Sequence, residues 1–187
     1  MRIISGTARS RTIEAPKGRD TRPTLDRVRE NLFNIIARDV PGARVLDLFA
    51  GSGALSLEAL SRGAQSAVMV DRDRQAHLVE QKNTQSLGFA HQAKLMHCDW
   101  LSAVKTLKDE GAAFDLIFLD PPYAMSDLTQ VTSSLLPLAA PSALLVVEHA
   151  AGAPAAVSEK WALKDQRRYG YVGLSLYRLT EGETADE

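Results

Sequence analysis

An α/β fold built on a mostly parallel sheet is the class this sequence predicts, and three observations predict it. Val45-Leu46-Asp47-Leu48 is an apolar run carrying one acid, and it breaks into the glycine turn Gly51-Ser52-Gly53. A stretch of helix formers, Ala54 to Leu60, follows at once. Further apolar or β-prone runs, ending near Asp71, Trp100, Leu119 and His149, alternate with stretches of helical character. Strands that alternate with helices read as βαβ units, whose parallel sheet is covered on both faces.

At 187 residues, 45% of them hydrophobic, the chain is the size of one domain with its own core. No run approaches the ~18 apolar residues of a membrane span, and the N-terminus has no apolar leader, so a cytoplasmic protein without membrane contact is expected. Cys98 is the only cysteine among 187 residues, which leaves no internal disulfide, and the four histidines are scattered without metal-ligand spacing. No metal is expected. The net charge of -1 says little by itself, but its distribution is uneven. Residues 1 to 38 hold nine Arg or Lys against four Asp or Glu, and residues 160 to 178 hold five against one. Two basic ends around an acidic centre suit either a polyanion held beside a cationic cofactor or, equally, ordinary solvated faces.

Residues 1 to 14 contain two β-prone pieces around a small-residue turn from Ser5-Gly6 to Ser10, a hairpin or arm. Arg2, Arg9, Arg11, Lys17, Arg19 and Arg22 make it basic, with no apolar face large enough to stand alone. It is expected to dock on the main body or on RNA. Leu25, Val28, Leu32, Ile35 and Ile36 then recur at helical spacing, with Thr24 as the expected N-cap and Arg27 and Glu30 outside or at the mouth of the site.

Gly51 and Gly53 allow a tight turn and close approach of a ligand to the backbone, with Ser52 as the expected cap of the next helix. The turn lacks the third glycine of the dinucleotide fingerprint. Asp47 sharpens the reading, because a carboxylate before the turn repels a pyrophosphate and attracts a cation. S-adenosylmethionine carries an ammonium and a sulfonium. Asp71 closes a second strand at 65–71, placed either to accept ribose hydroxyls or to cap the helix Arg74 to Leu87. Asp99 closes a third, at 94–100, facing an adenine edge or capping the helix Leu101 to Lys108. Cys98 and Trp100 offer apolar contact there, and His97 reads as a core residue.

The fourth strand, 113–119, runs into Asp120-Pro121-Pro122-Tyr123. Two prolines fix φ and remove two donors, which leaves a rigid corner of acceptors. Such a rim suits an exocyclic amine: Asp120 and the Pro121 carbonyl take its hydrogens, and Tyr123 offers a ring for stacking. Asp127 to Pro137 reads as helix, 143–149 as a fifth strand, and 160–168 with 171–179 as a closing hairpin turning at Gly170. His149 is expected to pack or solvate. The organisation expected is a basic arm at 1–22, a catalytic domain at 23–180 and a frayed acidic tail at 181–187.

With both motifs in place the chain resembles the bacterial small-subunit ribosomal RNA guanine-N2 methyltransferases, within the class I S-adenosylmethionine-dependent methyltransferases. The marks, in order, are Met1 to Gly6, Thr21 to Glu30, Leu46 to Gly53 continuing into 58–64, Asp120 to Tyr123, and Tyr169-Gly170. The resemblance implies a Rossmann-like, seven-stranded, mostly parallel sheet with an antiparallel C-terminal hairpin and a small N-terminal hairpin. It implies methyl transfer from S-adenosylmethionine to N2 of one guanine in 16S rRNA, within the small subunit or an assembly intermediate, by a monomer. Asp47, Phe49, Gly51 and Gly53 would meet the methionine part of the cofactor, Asp71 and Arg72 the ribose, and Asp99 and Trp100 the adenine. Thr24 would lie near the cofactor. Asp120, Pro121 and Tyr123 would hold the target base, with Arg2, Arg9, Arg11, Arg22 and Pro122 on the RNA. Two positions depart from the family pattern: Asp71 stands where Glu is more usual, and Ser5 where a second glycine is usual. Adenine-N6 methylation, and an assembly factor without chemistry, are the competing readings of the same residues.

Overall fold

The structure, a computed structural model, describes residues 1–16, 23–122 and 124–180, without the side chains of 23–25. Thus Arg22, Tyr123, Lys17, Arg19 and the tail 181–187 lie outside the described residues. Helix α1 spans Pro23–Ile35 and leads to strand β1, Arg44–Asp47. Then follow α2 (Ala54–Ser61), β2 (Ser66–Asp71), α3 (Arg74–Leu87), β3 (Ala93–His97), α4 (Trp100–Asp109) and β4 (Phe114–Leu119). A short α5 (Thr129–Ser134) and a 3₁₀ turn precede β5 (Ala139–Ala150), β6 (Trp161–Tyr169) and β7 (Val172–Leu179).

Among the described residues the sheet has seven strands in the order β3-β2-β1-β4-β5-β7-β6. The pairs from β3 through β5 are parallel, and β7 runs antiparallel between β5 and β6. The expected hairpin thus closes one edge, turning at Gly170 with φ 61°. Two apolar layers cover the sheet. One gathers the N-terminal residues Ile3, Ala8 and Ile13 with Val28, Leu32 and Phe33 of α1 and Leu57 of α2, against Val45, Phe118 and Val146. The other packs Val104 and Leu107 of α4, with Leu128 and Trp161, against Leu46, Ile117 and Leu145. Strand alternation assigns the faces: odd positions of β1 meet the first layer, even positions the second.

The N-terminal segment closes as a hairpin with one antiparallel bridge, Arg2 to Thr12, and docks on the body. The buried Glu58 side chain on α2 is its anchor, accepting the Ile4 and Ser5 backbone N–H groups at 2.8 and 3.0 Å. Arg62 donates to the same carboxylate at 2.8 Å, and Arg29 lies 3.7 Å from it. Gly6 holds φ +85°, and a Cβ there would lie 1.8 Å from the Ser61 carbonyl oxygen. Gly6→Ala is therefore expected to destabilise the protein by about 2–4 kcal/mol, combining left-handed backbone strain with displacement of the hairpin from α2. Urea unfolding measures it, and an unchanged midpoint would contradict the docking.

Several local expectations need correction. The first helix begins at Pro23, so Thr24 lies within its first turn instead of capping it; proline's fixed φ suits a first helical position. Ser52 does not cap α2: Gly53 occupies the N-cap position at φ 76° with no side-chain cap. A Cβ on Gly53 would also come within 2.8 Å of Met69 Sδ. His97 is exposed on edge strand β3 instead of lying in the core, stacked on His77 with centroids 5.1 Å apart. The helical stretch 127–137 divides into α5 and a 3₁₀ turn containing Pro137, whose ring does not fit an α-helix interior. His149 packs, as one of the two expectations had it, donating or accepting at Ser175 Oγ over 2.8 Å.

Candidate active site on the sheet rim

The strand order reverses between β1 and β4, and an open α/β sheet binds ligands outside the strand C-termini at such a switch point. Asp47 is the last residue of β1, Asp71 the last of β2, and Asp120 follows β4 directly. Asp47 and Asp120 line one cleft with Phe49, Gly51, Arg29 and Glu148. The glycine turn shapes its floor, with φ 59° at Gly51 and 76° at Gly53. Asp71 braces that turn: Oδ2 accepts the Gly51 N–H at 2.9 Å, and Oδ1 accepts the Asp73 N–H at 2.8 Å. The cap of α3 is Asp73, not Asp71. Each Asp71 oxygen keeps a second lone pair for a hydroxyl donor.

Asp47 is only 1% exposed. Ser56 Oγ donates to its Oδ2 at 3.1 Å, while the buried Oδ1 has no hydrogen bond of normal geometry. Burial pushes the carboxyl up to about 7, the Ser56 hydroxyl and the Phe49 N–H oppose this, and the nearby charges of Asp120 and Asp71 add to it. A buried acceptor with no donor is costly unless something else supplies the donor. A cationic ammonium beside β1 answers both the empty lone pairs and the accumulated negative charge. The residues present thus fit S-adenosylmethionine.

Of the remaining expected positions, those following β2, β3 and β4 lie beyond strand C-termini, while the hairpin turn packs on the C-terminal end of α2 and Arg11 reaches the C-terminal end of α3, away from that rim. Asp99 is exposed and caps α4, accepting from the Leu101 and Ser102 N–H groups at 3.0 Å each and from Ser102 Oγ at 2.7 Å. These hydrogen bonds, the Ser102 hydroxyl first, hold its carboxyl below the usual range. Trp100 is half-buried at the start of α4, and Arg72 is exposed after β2. Pro121 is buried and Pro122 exposed. Arg2, Arg9 and Arg11 are exposed on the hairpin; Arg11 reaches the Ser86 carbonyl at the end of α3. The Thr24 side chain lies outside the described residues.

Two cleft residues escaped the sequence reading. Arg29, on α1, is 5% exposed and ties Asp26 and the Arg2 carbonyl to the mouth of the cleft, at 3.1 and 2.6 Å. Glu148, near the end of β5, stands in the cleft beside Asp120. The fifth strand was legible, but whether its single acid, Glu148, faced the cleft depended on pairing register.

The switch-point cleft, the acid-glycine turn and the acceptor corner on one sheet define a class I S-adenosylmethionine-dependent methyltransferase. Residues 1–178 match the family model described as Conserved hypothetical protein 95, and the chain belongs to that family. It is 38% identical over 190 residues to Ribosomal RNA small subunit methyltransferase D of Escherichia coli K12, covering 98% of this chain and 93% of that protein. The protein of the same name from Haemophilus influenzae is 34% identical over 181 residues, covering 95% of this chain and 93% of its own length. Among solved structures, yhhF from Escherichia coli superposes with a TM-score of 0.81 at 36% identity, covering 96% of this chain and 97% of that one.

Proposed function

We propose that this chain methylates the exocyclic N2 of one guanine in 16S rRNA, acting in the cytoplasm as a monomer on the small ribosomal subunit or an assembly intermediate. The observation that carries this reading is Asp120, at the head of the double-proline corner, standing in one cleft with the buried, donor-poor Asp47. The names of the Escherichia coli and Haemophilus influenzae relatives support the RNA and the subunit.

Asp47, Phe49, Gly51 and Gly53 hold the methionine end of the cofactor, with Thr24 near it. Asp71 and Arg72 take the ribose, and Asp99 with Trp100 the adenine. When bound, S-adenosylmethionine supplies an activated methyl on a sulfonium, already a good leaving group. The protein's work is then placement. Asp120 and the Pro121 carbonyl accept hydrogen bonds from the two N2 hydrogens and aim the nitrogen lone pair at the methyl, and the Asp120 carboxylate receives the proton that N2 sheds on alkylation. Tyr123 stacks the base, which leaves its helix at a cost of a few kcal/mol. The basic hairpin, within an arm at 1–22, holds the RNA with Arg2, Arg9, Arg11 and Arg22, and Pro122 lies against it.

Labelled cofactor offered to small subunits from a strain lacking the protein, and to naked DNA, tests the proposal. Label on guanine N2 of 16S rRNA is expected. Label confined to DNA, or to adenine N6, overturns it. Arg9→Ala with Arg11→Ala should weaken subunit binding and flatten the slope of log affinity against log salt by about 1–2, as two phosphate contacts would. An unchanged slope in a filter-binding series would remove the hairpin from the RNA interface.

A further inference from the structure

We infer that Glu148 reads the Watson–Crick edge of the target base, accepting the N1–H of guanine and so rejecting bases that lack that hydrogen. The inference rests on the guanine-N2 reading and adds the residue that makes the choice of guanine. Register supplies the argument. Strands β4 and β5 pair in parallel with Leu119 opposite Val147, which sets Asp120 beside Glu148, one strand spacing or about 5 Å apart. Phe118 and Val146 lie in the first apolar layer, so the residues two further on, Asp120 and Glu148, turn to that same face. Asp47 shares it, opposite Phe118. Three carboxylates, Asp47, Asp120 and Glu148, therefore line one cleft.

An acidic rim of this kind is complementary to a row of donors. Asp47 meets the cationic cofactor, and Asp120 the exocyclic amine. Glu148, half-buried, stands next to the amine's own acceptor. The Watson–Crick edge of guanine presents N1–H adjacent to the N2 amine, so two neighbouring carboxylates find two neighbouring donor groups. Adenine and 2-aminopurine present a bare N1 lone pair there, which faces a carboxylate acceptor to acceptor. A base flipped into a pocket is read on this edge. A site built to hydrogen-bond one group discriminates strongly against an analogue lacking it.

The test places 2-aminopurine, which keeps the 2-amino group but lacks N1–H, at the methylated position of 16S rRNA in reconstituted small subunits. The wild-type protein is expected to prefer guanine over 2-aminopurine by about a hundredfold or more in kcat/KM. In Glu148→Gln, whose amide donates to a bare N1, that ratio should collapse to less than about tenfold, with cofactor Kd within about twofold of wild type. Glu148→Asp, retaining the carboxylate, should keep the preference. The ratio is internal to one protein preparation, so partial unfolding does not imitate the result. A ratio unchanged in Glu148→Gln, or a loss of cofactor affinity with the ratio intact, overturns the assignment while guanine methylation stands. A wild-type protein that labels adenine and not guanine overturns the underlying reading, and this assignment with it.

Discussion

Asp120→Ala is expected to lower turnover on small-subunit RNA by about a thousandfold, the scale seen when one preorganised polar group aimed at a developing charge is removed. Cofactor affinity should change little in magnitude, and its pH dependence is informative. The Asp120 charge helps hold the buried Asp47 carboxyl up near 7. Removing it lets Asp47 ionise at lower pH, so the rise of S-adenosylmethionine affinity with pH should shift to lower pH than in wild type. Single-turnover rates and calorimetric titration at two pH values measure both. Normal turnover with a large loss of cofactor binding would reassign Asp120 from the base to the donor.

Asp47→Asn should separate stability from binding. In the unfolded chain this carboxyl titrates near 3.8, and in the folded protein near 7. Between those values the folded state holds a proton that the unfolded state has lost, so stability without cofactor falls as pH rises from 4 to 7 and levels off above 7. The neutral amide keeps the position opposite Ser56 without that loss. It is expected to stabilise the cofactor-free protein at pH 8 by about 1–3 kcal/mol and hardly at all at pH 4. Affinity for the cationic cofactor should fall about a hundredfold, since a buried charge-assisted hydrogen bond is lost. Wild-type affinity should rise from pH 6 to pH 7 as Asp47 ionises, and the variant's should not. A flat wild-type profile over that interval would place the cofactor's ammonium elsewhere.

Fold and motif were legible at different depths. Long apolar runs with acids at their ends, such as 113–120, named strands and rim residues together, because a parallel strand buried on both faces has few other compositions. Helix α3 matched its expected bounds, Arg74–Leu87, since polar and apolar positions recur along it and Gly88 ends it at φ 79°. Caps were read less well. Serine, threonine and aspartate near a helix start compete for one role, and backbone geometry decided it: Gly53 over Ser52 at α2, Asp73 over Asp71 at α3. At α4 the capping alternative for Asp99 is what the fold displays.

The sequence alone determined the βαβ alternation, the acid-glycine turn and the double-proline corner, all of which are local: each is set by hydrophobic periodicity or by residues whose φ and donors are fixed covalently. Tertiary structure alone decided that Glu58, fully buried, would clamp the N-terminal hairpin to α2, and that Arg29 would be buried, whereas the exposure of Arg27 and Glu30 beside it followed from helical spacing. It also decided that Glu148 would stand next to Asp120, 28 positions earlier in the chain. Those placements depend on strand register and helix docking, which join residues far apart in sequence, and no local pattern of polarity distinguishes a solvated glutamate from one aimed into a cleft.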